Sequence, residues 1–182
     1  MRAWYPVLVG ALALQRLRET DISQRHEAKR PGRQAAPGSF PIMAAAHLGL
    51  FTLPFWEIRW AHRRPHWVGF WLAILLSATG LRWWCIKSLG DQWNIRAAVP
   101  ERLDPVTKGP YRWIRHPNYL AVILEFAALP MAGGAWLSAL GLSALDGLVL
   151  VDRIRAEEKL LAQTPEYQTA FAGKARFIPG IF

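Results

Sequence analysis

The stretch from Trp67 to Ile86 carries a single charged residue, Arg82. A run of that length and character has to satisfy its backbone hydrogen bonds internally and bury apolar side chains on every side. A helix in lipid, or at the centre of a large core, meets both needs. At 182 residues the chain is one domain by size. Residues 39–58, 118–131 and 135–151 repeat the pattern, and 52% hydrophobic residues with ten tryptophans exceed what a soluble domain of this size uses. The composition predicts an all-α, multi-span membrane protein.

Five spans are expected. The first apolar run, residues 3–14, rises only about 18 Å as a helix against about 30 Å of hydrocarbon, so it must extend through Leu17 with Arg16 and Arg18 snorkelling. Residues 16–38 form a charged connector, in part an interfacial helix. The second span covers 39–58 with Pro41 and Pro54 inside it, and the third covers 67–87. Arg82 either snorkels to the interface or lines a cavity. A proline-punctuated loop, 88–115, precedes two apolar arms separated by Pro130 and the Gly133-Gly134 pair, which predict a helical hairpin. The second arm continues as a charged helix through Leu161, and a short amphipathic segment from Thr164 and a folded-back tail end the chain. The predicted parts are 1–87, three spans with a basic connector, and 88–182, loop, hairpin and tail.

Charge sets the expected orientation and removes one class of partner. The net charge of +9 lies between apolar runs rather than on one helical face, which fits anionic lipid headgroups and not nucleic acid. An external amino terminus puts 16–38, 88–116 and the tail on the cytoplasmic side of a multi-pass protein of the cell (inner) membrane, with Arg59, Arg63 and Arg64 as exceptions. Cys85 is the sole cysteine, so no intramolecular disulfide or thiolate cluster forms, and it reads as a small buried hydrophobe. His62 and His66 are four apart, but Pro65 breaks the helix between them, and no metal is expected. His26 reads as surface.

Chemistry is expected where the loop enters the fourth apolar segment, Lys108 to Tyr119. Pro117 suits the first turn of a helix, so the amides of Asn118, Tyr119 and Leu120 are unpaired beside Arg115 and His116. Such an end favours an anion, for instance a cofactor carboxylate. The plainer alternative is that Arg112, Trp113, Arg115 and Tyr119 only anchor a membrane helix. Glu125 and Asp146 lie inside the apolar arms and are either functional or paired between helices. Asp146, Arg153 and Glu157 share a helical face, which is a site wall or an ordinary solvated pair.

The run Thr107 to Tyr119, followed after a hairpin by Arg153-Ile154-Arg155-Ala156-Glu157-Glu158, resembles the isoprenylcysteine carboxyl methyltransferase family and its phospholipid methyltransferase relatives. The resemblance covers roughly residues 88–182, and the amino-terminal half is similar only as apolar spans. It implies a multi-span enzyme using S-adenosylmethionine on the cytoplasmic face. Leu103, Asp104, Pro105, Val106 and Tyr111 would line that cofactor. His116, Pro117, Asn118 and Tyr119 would hold its amino-acid end, and Glu157 would contact it too. Arg153 would face the methyl acceptor as the catalytic and substrate-binding residue. Where some relatives carry a glutamine upstream of the loop, this chain has Arg96 or Ala98. The implied reaction is methyl transfer to an oxygen, carboxylate or phenol/enol, of a lipophilic or lipidated acceptor drawn from membrane lipid. Methylation of a phospholipid amine is one alternative. An NADPH-dependent sterol-type reductase, with a similar Arg-His-Pro-Asn-Tyr step, is another, and a membrane scaffold binding neither cofactor is the last.

Overall fold

A computed structural model describes residues 3–61 and 64–178, so His62 and the Pro179-Gly180 end of the expected tail lie outside the described residues. Helix α1, Trp4–Lys29, does not stop where the charges begin. Its second half is rich in good helix formers, with an exposed Arg25–Asp21 pair at 2.9 Å, and it ends at Arg30, the residue before Pro31. The 16–38 connector is therefore mostly a continuation of the first helix.

Two three-residue strands follow from segments with no readable alternation. Strand β1, Gly32–Gln34, pairs antiparallel with β2, Ala98–Pro100, in the register Gly32↔Pro100, Arg33↔Val99 and Gln34↔Ala98. This ladder is a small exception to the all-α expectation, and it ties the first connector to the long loop. Gly32 is required there, because a Cβ would fall 2.5 Å from the Val99 carbonyl oxygen.

The remaining helices are α2 (Ser39–Ala61), α3 (Val68–Leu89), α4 (Pro117–Gly133), α5 (Trp136–Leu161) and α6 (Pro165–Phe171). Among the described residues, two segments, Ser39–Ala61 and Val68–Gln92, are long and apolar enough to cross a membrane. Helix α1 carries many charges, and α4, with 17 residues, rises about 25 Å. Large apolar side chains face outward along α2, α3 and α5, among them Leu48, Trp56, Leu76 and Leu148. A soluble monomer rarely exposes so much apolar surface.

The expected hairpin is present. Gly134 turns it at φ +88°, with its amide on the Met131 carbonyl at 3.0 Å and that of Ala135 on Pro130 at 2.9 Å. Tyr5 packs into the tip, its hydroxyl donating to the Leu129 carbonyl at 3.1 Å, and a Cβ on Gly133 would strike its ring. Helix α5 is capped from outside itself: the Glu57 carboxylate of α2 accepts the amides of Leu137 (3.0 Å) and Ser138 (2.6 Å). That satisfies two of the free N–H groups of the first turn. The apolar core, with Leu12, Leu50, Leu75, Phe126, Leu129 and Leu142, lies between these helices.

Several charged residues sit differently from expectation. Arg82 does not snorkel; it is 5% exposed and donates to Glu19 at 2.8 Å, which takes up its cavity-lining alternative. Glu19, placed in the charged connector by the sequence, is 1% exposed. Glu125 is paired with Arg16, across α1 and α4. Asp146 is buried with its Oδ1 unpartnered. His26 is no plain surface residue: its Nδ1 bonds the Trp93 carbonyl at 2.8 Å.

Candidate active site

At the end of the bundle opposite the hairpin tip, a cavity of about 490 Å³ lies between α1, α2, α4, α5 and the 90–116 loop. Its size is that of a small-molecule site. The loop is held by side chains acting on backbone. Asn94 Oδ1 accepts the amides of Arg96 (3.1 Å) and Ala98 (2.7 Å), which bends the chain into β2. Gln92 brackets Asp104, giving its Nε2 to the carbonyl (2.9 Å) and taking the amide at Oε1 (3.1 Å). Trp93 is fully buried, its indole N–H directed at Asn118 Oδ1 (3.4 Å) with the Arg82 guanidinium over its ring. Gly109, at φ +60°, lies so close to Ser88 and Trp84 that a side chain there would clash. Tyr111 follows in a 3-10 turn, buried against Cys85, and burial pushes its phenol well above the usual range.

The carboxyl-terminal tail closes over the start of α4. The amides of Arg115 and His116 donate to the carbonyls of Ala175 (2.9 Å) and Arg176 (3.0 Å). Beneath that crossing, Glu158 accepts His116 Nε2 at 3.1 Å and Arg176 Nη2 at 2.6 Å, with Arg115 at 3.8 Å. The His116 bond, assisted by Arg176, holds the Glu158 carboxyl down at about 2. The cations expected beside the α4 terminus are therefore engaged by this carboxylate. The Leu120 amide is engaged as well, on the His116 carbonyl at 3.2 Å, which leaves Asn118 and Tyr119 at the unpaired start of the helix.

Loop and hairpin meet at three side chains. The Tyr119 hydroxyl donates to Glu157 Oε2 at 2.6 Å, and the Arg153 guanidinium lies against the same phenol. Arg153 is 1% exposed; its Nη2 donates to the Ile95 carbonyl at 2.8 Å and its Nη1 points at Ser39 Oγ at 3.5 Å. Leu103, Asp104, Pro105, Val106, Tyr111, His116, Asn118, Tyr119, Arg153 and Glu157 all line the one cavity. Pro117 is off the wall, buried at the first position of α4, where it sets the direction of the helix. Asp146 shares a helical face with Arg153 but is off the wall as well.

Sequence reasoning passed over the part of the wall that comes from the amino-terminal half. Arg16, Glu19 and His47 line the cavity together with Arg82. Of the first three, only His47 carries a readable signal, a titratable residue within an apolar helix, the same signal that singled out Glu125 and Asp146. From the other end, Tyr167 and Phe171 of α6 complete the wall, stacked at 4.5 Å between ring centroids. A glutamine also lines the cavity, Gln92, four residues before Arg96. Among the described residues no three His, Cys, Asp or Glu side chains gather as a metal site.

The chain is similar to known proteins over this region and beyond it. The profile of the isoprenylcysteine carboxyl methyltransferase (ICMT) family matches residues 71–163, from α3 through the loop and hairpin to the end of α5. The uncharacterized protein YpbQ of Bacillus subtilis (strain 168) is 32% identical over 162 residues, which is 86% of this chain and 96% of that protein. The matched span contains the Tyr119–Glu157–Arg153 meeting point, and the chain belongs to the isoprenylcysteine carboxyl methyltransferase family, a family of membrane methyltransferases.

Proposed function

We propose that the cavity binds S-adenosylmethionine and that the protein transfers a methyl group to an oxygen of a lipophilic acceptor taken from the bilayer. The observation that carries this reading is the convergence of Tyr119, Glu157 and Arg153, from opposite arms of the hairpin, on one cavity. The donor set fits the cofactor: a carboxylate at Glu157 suits an ammonium, and the free first-turn amides of α4 suit a carboxylate. When bound, the cofactor supplies an electrophilic methyl carbon on a sulfonium.

The chain's own residues position and shield. Tyr119 holds Glu157 in place, and Leu103 to Val106, kept in register by Gln92, cover the cytoplasmic side. Arg153 is fixed by Ile95 and Ser39 and steadies negative charge on the acceptor oxygen. Catalysis of this kind comes from orientation and exclusion of water. The cavity also reaches outward-facing Leu17 of α1 and Leu48 of α2, which supports delivery of the acceptor from lipid. Five spans, with α1, α4 and the first part of α5 joining α2 and α3, place the cavity at the cytoplasmic face in this reading.

Incubating purified protein and membrane lipid extract with methyl-labelled S-adenosylmethionine tests it. Label in a lipophilic ether or ester is the expected result. Label on a phospholipid amine, or none, overturns the oxygen-transfer reading.

A further inference from the structure

Inside the same cavity, α2 contributes His47. Its Nδ1 lies 2.9 Å from the Met43 carbonyl oxygen. A carbonyl only accepts, so Nδ1 carries a hydrogen, and in the neutral ring the lone pair is on Nε2. The ring stands edge-on to Phe126, with centroids 4.9 Å apart and an 83° angle, which fixes its plane. Nε2 has no hydrogen-bond partner among the described residues, and it is not sealed off as Arg16 Nε and Arg82 Nη1 are. Phe126 lies seven residues beyond Tyr119 on α4, about 10 Å of helix rise, so His47 faces the part of the cavity next to the Tyr119–Arg153 end.

Arg16, Arg82 and Glu19 act on His47 from the cavity wall, and Glu125, off that wall, pairs with Arg16. Arg16 and Glu19 come from α1, Arg82 from α3 and Glu125 from α4, and the pairs Arg16–Glu19, Arg16–Glu125 and Arg82–Glu19 bind two cations to two carboxylates. An incoming carboxylate or phosphate finds both guanidiniums engaged, and burying its charge there is costly. What this end of the cavity lacks is a hydrogen-bond donor for the His47 lone pair.

Resting on the reading that the cavity takes a lipophilic acceptor, we infer that His47 is a specificity-determining residue that accepts a hydrogen bond from the acceptor's hydroxyl and receives its proton as the O–CH3 bond forms and the methyl–sulfur bond breaks, the oxygen passing through the anionic form that Arg153 steadies. It thereby selects a phenol or enol over a carboxylate or phosphate. The acceptor's apolar tail passes between Leu17 and Leu48, which line the cavity and are 68% and 66% exposed.

The test pairs a long-chain alkylphenol with a fatty acid of equal chain length, using full-length protein in detergent. Binding is measured by calorimetry, and methylation is followed with labelled S-adenosylmethionine. Wild type is expected to bind and methylate the alkylphenol in preference to the fatty acid. His47→Phe is expected to weaken alkylphenol binding about tenfold, while S-adenosylhomocysteine binding, which also reports folding, stays unchanged. His47→Gln, which keeps an accepting oxygen, is expected to recover part of the loss. Equal alkylphenol affinity in wild type and His47→Phe, or preference of wild type for the fatty acid, overturns the inference. If S-adenosylhomocysteine fails to bind wild type while the alkylphenol preference and its His47 dependence persist, the methyl-transfer reading falls and the role of His47 stands.

Discussion

Replacing Tyr119 by Phe removes one oxygen and leaves the ring against His116, whose centroid is 5.5 Å away. The oxygen removed donates to Glu157 Oε2 at 2.6 Å, and this is the carboxylate's sole hydrogen bond among the described residues. A bond to a charged acceptor is worth about 1.5–3 kcal/mol, but water in the cavity replaces part of it. About 1.4 kcal/mol is expected to appear as weaker cofactor binding, which is about tenfold in Kd. Calorimetric titration with S-adenosylhomocysteine in detergent measures it, with the melting temperature as a control that the retained ring preserves packing. A cycle with Glu157→Ala sharpens the test, because Tyr119 acting through Glu157 requires the double variant to bind no worse than Glu157→Ala alone. An affinity within twofold of wild type for Tyr119→Phe, or additive losses in the cycle, would refute the coupling.

Three further outcomes follow from the same structure. Arg153→Ala should lower turnover severely while S-adenosylhomocysteine affinity stays near wild type; unchanged turnover removes its role at the acceptor. Glu19→Ala strands Arg82 at a buried site and leaves Arg16 with Glu125 alone, which should cost about 3–5 kcal/mol and appear as a large drop in melting temperature; a drop of a degree or two contradicts the ion cluster. For the tail, the folded Glu158 carboxyl is depressed from the ordinary 4.5 to about 2, so its contribution is complete above about pH 4.5 and is lost as pH falls toward 2. Hydrogen exchange at the Arg115 and His116 amides, corrected for its intrinsic pH dependence, should accelerate over that window in wild type and be fast throughout in Glu158→Gln. A flat wild-type profile refutes it.

The sequence made the hairpin legible because Pro130 and the glycine pair interrupt an apolar run in a way few other structures allow. It made the meeting of Tyr119 with Glu157 legible only through a resemblance, since helical spacing places Arg153 and Glu157 on one face without saying what they oppose. The β1–β2 ladder was invisible because three residues cannot display a period of two. The contribution of α1 is hidden for a different reason. Arg16 and Glu19 look like solvated charges at the end of a span, and only packing against Arg82 and Glu125 turns them inward. His26 looks like a surface residue for the same reason, as its partner is a loop carbonyl 67 residues away. Long-range pairing of polar groups leaves no local periodicity to read.

The central claim is that the cavity between the loop and the hairpin is an S-adenosylmethionine site. Calorimetric titration of the purified wild-type protein with S-adenosylhomocysteine, and separately with NADPH, tests it most directly. One saturable S-adenosylhomocysteine site per chain, displaced by S-adenosylmethionine and absent with NADPH, is the result the account predicts. Saturable NADPH binding, or no binding of S-adenosylhomocysteine by folded protein, would contradict it.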